Sequence, residues 1–193
     1  SMLDDKEEYK QMTDVIIDKS NQLTKIIDDV LYASDIQNIP VNLESVNIGD
    51  VIVDVSANYR GLLPKDGEMI VTPDSSDIMA TTDRTLLAKA LTLVVDNAVK
   101  FAGNSLITIA ARQDDSHTEI TVSDCGKGIP KDKSEWVFEE FTKVDDFTQG
   151  TGLGLAICRE VMKRLQGSIH VDTNYTCGCR MVITLPYDGT ASS

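Results

Sequence analysis

Residues 4–37 contain neither glycine nor proline, and within them Tyr9, Ile16, Leu23 and Val30 recur every seven positions. Met12, Ile26 and Ala33 fill the companion positions, with Lys19 as a polar interruption. Heptad spacing of this kind is the apolar seam of a long helix that packs against other helices. At 1.5 Å per residue the helix runs roughly 50 Å. One helix cannot bury its own seam, so the pattern calls for partner helices from a second chain; folding back onto its own domain is the alternative. Pro40 ends the helix, because the residue before a proline is kept out of helical backbone.

Beyond Pro40 shorter periods take over. "VNLESVNI" predicts a short strand and "GDVIVDVSANYRGLL" a helix. "GEMIVTP" and "SDIMATTD" predict two strands joined by the turn-rich "PDSS". Asp83 is placed to cap a helix from Arg84 to about Ala102, whose apolar face carries Leu86, Leu87, Ala90, Leu91, Val94, Val95 and Ala98. "NSLITIAARQ" and "HTEITVSD" predict a hairpin around "DDS". Residues 126–150 are polar, with one short helical patch near Trp136. "TGLGLAICREVMKRLQG" predicts a helix closed by Gly167, and "SIHVDTN" and "CRMVITLP" two last strands. This order predicts an α+β fold, a two-layer α/β sandwich in which a mixed sheet is covered on one face by helices. Three regions follow: a long helix over 1–40, a domain over 41–188 and a tail over 189–193.

Charge and composition narrow the function classes. The formal net charge is −13. That field repels phosphate backbones and argues against nucleic-acid binding. No apolar run reaches the roughly 18–20 residues of a membrane span, and no secretory signal is present. Ser1 and Met2 read as a cloning remnant. The four cysteines, Cys125, Cys158, Cys177 and Cys179, lack zinc-site spacing. They read as free thiols in a reducing compartment, hence a cytoplasmic location.

Four segments carry candidate chemistry. "VVDNAVKFA" sets Asn97 and Lys100 three apart on a helix, facing the same way. An amide oxygen is a hard ligand suited to Mg²⁺, and a lysine is a point charge for phosphate. "DCGKGIP" ends a strand with Asp124, and a buried carboxylate there can accept from an exocyclic amine. Gly126 and Gly128 let the backbone approach a flat ring, with Ile129 following them. "WVFEEFTKVDDF" spaces Phe138 and Phe141 on one side of a short segment. "GTGLGLAI" places Gly150, Gly152 and Gly154 at the mouth of a helix, where backbone amides bind phosphate. Taken singly, each has a plain alternative: a polar helix face, a turn, satellite core, a weak glycine motif.

In their order and spacing, the four segments resemble the ATP-binding domain of sensor histidine kinases. That domain belongs to the wider superfamily of gyrase, mismatch-repair and Hsp-type ATPases. "DNAVKFA" resembles the N box, "DCGKGIP" the first glycine box, "WVFEEFTKVD" the F box and "GTGLGL" the second glycine box. Residues 8–40 resemble the second helix of the dimerisation and phosphoacceptor hairpin, and Gly178 fits the pattern of a glycine before the last strand.

The resemblance implies a Bergerat-type fold with ATP and Mg²⁺ as cofactors. Asn97 would ligate Mg²⁺, Lys100 would contact phosphate and Phe101 would pack near the nucleotide. Asp124 would accept from the adenine amine, with Gly126, Gly128 and Ile129 beside the base. Lys143 would reach phosphate from a mobile lid over 129–150. Phe138 and Phe141 would belong to the binding site. Gly150, Thr151, Gly152, Leu153 and Gly154 would close over the phosphates.

Two departures stand out. Leu93 occupies a position where the family commonly has a polar residue, usually asparagine. Neither His117 nor His170 has the context of the phosphoacceptor histidine, since both fall in predicted strands. The expectation is therefore the catalytic fragment of a two-component histidine kinase without its own phosphoacceptor. The full-length protein would be a homodimer, with room for an inner-membrane anchor. It would pass the γ-phosphoryl group to a histidine and then to a response-regulator receiver domain. A non-catalytic ATP-binding interaction module is the alternative that Leu93 favours. An ATP-hydrolysing member is a third reading, against which Leu93 argues, because those ATPases usually place a glutamate base there.

Overall fold

The computed structural model describes residues 2–59, 61–63, 67–72, 77–143 and 150–187, the side chains of 2–7 excepted. The predicted turn over 73–76 and the tail over 189–193 lie outside the described residues.

Helix α1 spans Met2–Asp35 and passes into a 3₁₀ turn at Ile36–Asn38. The heptad seam stays open: Tyr9, Ile16 and Leu23 are 71%, 63% and 58% exposed. Folding back on its own domain is therefore not what covers it. Among the described residues, the helix docks only over its last three turns, from Lys25 on. Asp29 and Ile36 are buried, and Gln37 and Arg164 tie this end down by bonds to Glu160 and to the Ile39 carbonyl.

Strand β1, Glu44–Asn47, leads directly into α2, Ile48–Ala57. The sequence reading put Ile48 in the strand and ran the helix to Leu63. Instead the Asn47 side chain accepts from the Asp50 amide at 3.1 Å and starts the helix at Ile48. The chain leaves the helix at Asn58, where buried Tyr59 donates its hydroxyl to the Thr92 carbonyl. Strands β2, Met69–Val71, and β3, Met79–Thr82, join different sheets: β3 pairs antiparallel with β1, and β2 runs parallel to β4.

Helix α3, Arg84–Phe101, begins as the capping signal predicts, with Asp83 accepting from the Leu86 amide at 2.9 Å. Strands β4, Ile107–Gln113, and β5, His117–Ser123, form the predicted antiparallel hairpin. Helix α4, Gly154–Arg164, is followed by β6, Ser168–Val171, and β7, Arg180–Pro186. The main sheet has the order β2-β4-β5-β7-β6 and is mixed, its β2–β4 pair being parallel. Helix α4 does not end through Gly167. Gln166 takes the left-handed backbone at φ 58°, and Gly167 packs on the Thr184 carbonyl, where a side chain would collide.

The core forms between the sheet and helices α2, α3 and α4. Alternate strand residues, Ile107, Ile109, Ile120, Val122, Ile183 and Leu185, point inward against Leu87, Leu91 and Val95 of α3. Truncating such a residue, Leu91→Ala for example, costs about 2–5 kcal/mol. This packing fixes the C-terminal half of α3 above the end of β5, which is what brings Asn97 and Asp124 to one place. No helix among the described residues is long and apolar enough to cross a membrane.

Candidate functional site

The last turns of α3, the turn after β5, and the loops on either side of residues 144–149 surround one cavity. Asn97, Lys100, Phe101, Asp124, Gly128, Ile129, Lys143, Gly150, Thr151, Gly152 and Gly154 line it. Ala98, Val122, Val137, Leu155 and Met181 supply an apolar wall. Asn97 and Lys100 share the cavity face because they are one helical turn apart.

Four of the candidate residues stand off this wall. Gly126 packs on the Phe101 carbonyl, so a Cβ there would collide with backbone. Phe138 is buried in the core under the Arg159 guanidinium, 4.5 Å from the ring centroid. Leu153 is buried as well, and both residues border a separate groove between the end of α1 and α4. Phe141 is 66% exposed. Phe138 and Phe141 therefore do not share a side: the 3₁₀ turn Trp136–Phe138 stops there, and Phe141 sits in left-handed backbone at φ 60°. Part of the expected lid, residues 144–149, lies outside the described residues.

Asp124 is 3% exposed. Burial pushes its carboxyl up from the ordinary range, against hydrogen bonds from the amides of Gly126 at 2.8 Å and Cys179 at 3.3 Å. Both bonds fall on Oδ1. The second oxygen, Oδ2, retains acceptor capacity for a donor in the cavity.

The lysine side of the cavity is held by charges. Asp96 Oδ2 accepts from Lys100 at 2.7 Å and from Lys25 of α1 at 2.8 Å. Burial alone would push Asp96 up, but the two lysines outweigh it and hold the carboxyl below its ordinary value. Burial likewise works against charge on Lys25, yet the bond and charge of Asp96, with the charge of Asp29, raise it. Thr151 donates to Asp29 at 2.9 Å and accepts from the Leu153 amide at 3.1 Å, so α1 is fastened to the glycine loop too. That loop turns through Gly152 at φ 71°, and a Cβ there would lie 2.8 Å from the Thr142 carbonyl. It delivers the N-terminus of α4 to the cavity, where first-turn amides have no partner inside the helix.

Sequence reasoning missed Lys25, Asp29 and Asp96. Asp96 was findable, since it lies four residues before Lys100 on one helix face. Lys25 and Asp29 are also four apart, but nothing local says that their face of α1 meets a site some seventy residues on.

A metal would find a sparse donor set. Among the described residues no group of three or more His, Cys, Asp or Glu could hold an ion. Asn97 offers one amide oxygen, Asp96 is occupied by two lysines, and Leu93 presents hydrocarbon to the wall beside Gly154. One protein oxygen completed by phosphate oxygens and water is a set that Mg²⁺ accepts, because it dehydrates reluctantly.

The thiol reading needs correction. Cys158 and Cys179 are free, and burial pushes the thiol of Cys179 up to about 12 and that of Cys158 higher still. Cys125 and Cys177 are joined in a disulfide, with Cα atoms 4.7 Å apart. Fifty-two residues separate them along the chain, and only the β5–β7 pairing brings them together.

Comparison with known proteins gives the geometry a context. Residues 82–189, more than half of the chain, match the family described as histidine kinase-, DNA gyrase B- and HSP90-like ATPase. The sensor-like histidine kinase SenX3 of Mycolicibacterium smegmatis is 28% identical over 191 residues, 95% of this chain and 50% of that protein. The chain thus spans half or less of the length of the first curated relatives it matches. Among solved structures, the mycobacterial sensor histidine kinase MprB is 30% identical with a TM-score of 0.65, covering 75% of this chain and 97% of that one. Full-length ShkA in complex with AMPPNP superposes with a TM-score of 0.77 over 93% of this chain and 39% of that one. At 23% identity, that likeness speaks to the fold alone.

Proposed function

Because this chain belongs to the histidine kinase-, DNA gyrase B- and HSP90-like ATPase family, we propose that its cavity binds ATP with Mg²⁺ and is the catalytic site of a sensor histidine kinase. The observation that carries this reading is the convergence of Asp124, Asn97, Lys100 and the glycine loop on one cavity.

Asp124 accepts the exocyclic amine of adenine on Oδ2, its Oδ1 being engaged by two amides. Val122, Ile129 and Met181 pack on the faces of the base. Toward the other side, Lys100 leaves Asp96 for the phosphates, and Lys143 and the amides at the start of α4 add positive potential. Asn97 would hold Mg²⁺, which would supply neutralisation of phosphate charge. The chain's own residues then act by positioning and electrostatics, as in phosphoryl transfer generally. In the full-length protein the γ-phosphoryl group would pass from ATP to a histidine, with ADP leaving, and then to a receiver-domain aspartate. The open α1 seam supports pairing of two copies, since it leaves Tyr9, Ile16 and Leu23 for a second helix.

A second reading has its own support. Leu93 is buried on the cavity wall against Gly154 and cannot orient a metal-bound water. That favours a module that binds ATP and signals through α1 without transferring phosphate.

One experiment divides the two. The chain is mixed with ATP, Mg²⁺ and a peptide hairpin supplying a histidine helix. Acid-labile phosphate on that histidine supports the kinase. ATP binding by calorimetry without transfer supports the silent module, and absence of binding removes both.

A further inference from the structure

Cys125 follows the buried aspartate directly, and Cys177 sits in the loop between β6 and β7. Both residues are exposed, so their bond is open to solvent. We propose that the Cys125–Cys177 pair is a reversible thiol–disulfide exchange site whose oxidised state clamps the aspartate-bearing turn of the cavity. Its exchange partners are small thiols and disulfides of the glutathione class. The nucleotide consequence rests on the function proposed above; the clamp itself does not.

The argument begins at the end of a ladder. Strands β5 and β7 are paired up to Ser123 and Arg180. Past that point two bonds continue the contact, one backbone to backbone from the Asp124 amide to the Cys179 carbonyl at 2.8 Å and one from the Cys179 amide to the Asp124 side-chain Oδ1 at 3.3 Å. The disulfide closes the next step outward. The β5–β7 ladder holds the strands in register by itself, so within the folded state the bond adds no new strand pairing. It acts on the two segments beyond the ladder. On one side these are Cys125 to Gly128, and on the other residues 172–178.

Those segments touch closely. A Cβ on Gly178 would lie 2.5 Å from the Asp124 carbonyl and 2.6 Å from the Gly126 nitrogen. Gly128, which lines the cavity, packs on the Gly178 carbonyl. Apart from the ladder, the loop is held by the Asp172–Arg180 ion pair at 3.6 Å and by Tyr175, whose hydroxyl is 3.6 Å from Cys125 Sγ and whose ring lies under Arg180 at 4.1 Å. Breaking the disulfide removes the one covalent tie between the loop and the turn. The turn that presents Asp124 is then less pre-ordered, and binding must supply that order.

The chemistry balances without any further reagent. The Cys125 thiolate attacks one sulfur of oxidised glutathione, the glutathione S–S bond breaks and one glutathione thiolate leaves. The Cys177 thiolate then attacks the Cys125 sulfur of the mixed disulfide and expels the second glutathione. Two protein thiols and one oxidised glutathione give one protein disulfide and two reduced glutathiones. Reduction is the reverse.

The chain is equilibrated across glutathione buffers, then quenched by alkylation and read by mass spectrometry. Cys125 and Cys177 are expected to change together, as one two-electron couple, while Cys158 and Cys179 remain thiols. Amide hydrogen exchange over 124–128 and 172–180 rises on reduction. Calorimetry with ATP and Mg²⁺ shows affinity falling about three- to tenfold. Cys177→Ser and Cys125→Ser cannot close the clamp: in oxidised glutathione each stops at a mixed disulfide on its remaining cysteine, and loop exchange stays at the level of the reduced protein in every buffer. The proposal is overturned if both thiols stay alkylatable in excess oxidised glutathione. It is equally overturned if exchange and affinity are identical in the two states. If ATP gives no heat in either state while loop exchange still follows the couple, the clamp is upheld and the nucleotide reading is lost.

Discussion

The turn that carries Asp124 and the helix face that carries Lys100 hold their charges by opposite means. Asp124 is buried, fixed by two backbone amides and packed against glycines. Lys100 is exposed and held by a carboxylate that it shares with Lys25 from another helix. The first arrangement is rigid and little affected by salt. The second is an exchangeable network, screened by ions, in which a phosphate can replace Asp96 as the partner of Lys100. The difference teaches a division of labour: one side of the cavity selects by shape and hydrogen bonding, the other responds to charge.

Breaking the rigid side has the largest expected effect. Asp124→Asn removes a charged acceptor and lowers ATP affinity about 10–100-fold, equivalent to roughly 1.5–3 kcal/mol. ADP loses the same factor, because it presents the same base. Titration calorimetry on both nucleotides checks this; an unchanged affinity would break the comparison on its rigid side.

Lys100→Ala is expected next, with about tenfold weaker ATP binding and a shallower salt dependence than the native chain. Measuring affinity at two ionic strengths sharpens the comparison, since the Asp124→Asn loss should be the same at both.

Lys25→Ala is smaller. A half-exposed pair contributes about 0.2–1 kcal/mol, so ATP affinity changes less than about fivefold. The visible result is faster amide exchange in the last turns of α1. The same clasp has a pH window. Asp96 is held below 3.8, so its contribution is present above that value and fades as pH falls through its folded pKa. Lys25 is raised above 10.5, so its contribution is full below that value and fades as pH climbs through its own folded pKa.

The smallest effect has an instructive sign. Burial raises Asp124 above 3.8, so its stability contribution is full below that pH and is lost as pH rises through the folded pKa. Without nucleotide, Asp124→Asn should therefore raise the Tm by about 1–3 °C at neutral pH, and the gain should vanish in acid. Calorimetric melts at two pH values decide it. A lower Tm at neutral pH would mean that the two amides need the full charge.

The rigid side was legible in the sequence because its signals are local. Asp83 before an apolar face, the "DDS" turn and the glycines after Asp124 each announce their structure within a few residues, and Gln166 displaced the predicted Gly167 by one position only. The charged side was legible only in part. Asn97 and Lys100 share one helix, but Lys25 and Asp29 reach the site through tertiary docking that no spacing encodes. The disulfide was hidden for the same reason, since only the β5–β7 register brings Cys125 to Cys177. Phe138 and Phe141 misled because helical spacing was assumed across a 3₁₀ turn that stops at the first of them.

The central claim is that separated segments read one nucleotide together. An NMR titration of the isotope-labelled chain with ATP and Mg²⁺ tests it most directly. The account predicts that amides at 97–101, 124–129 and 150–155 shift together with one dissociation constant. Shifts confined to one of the three segments, or different constants among them, would contradict it.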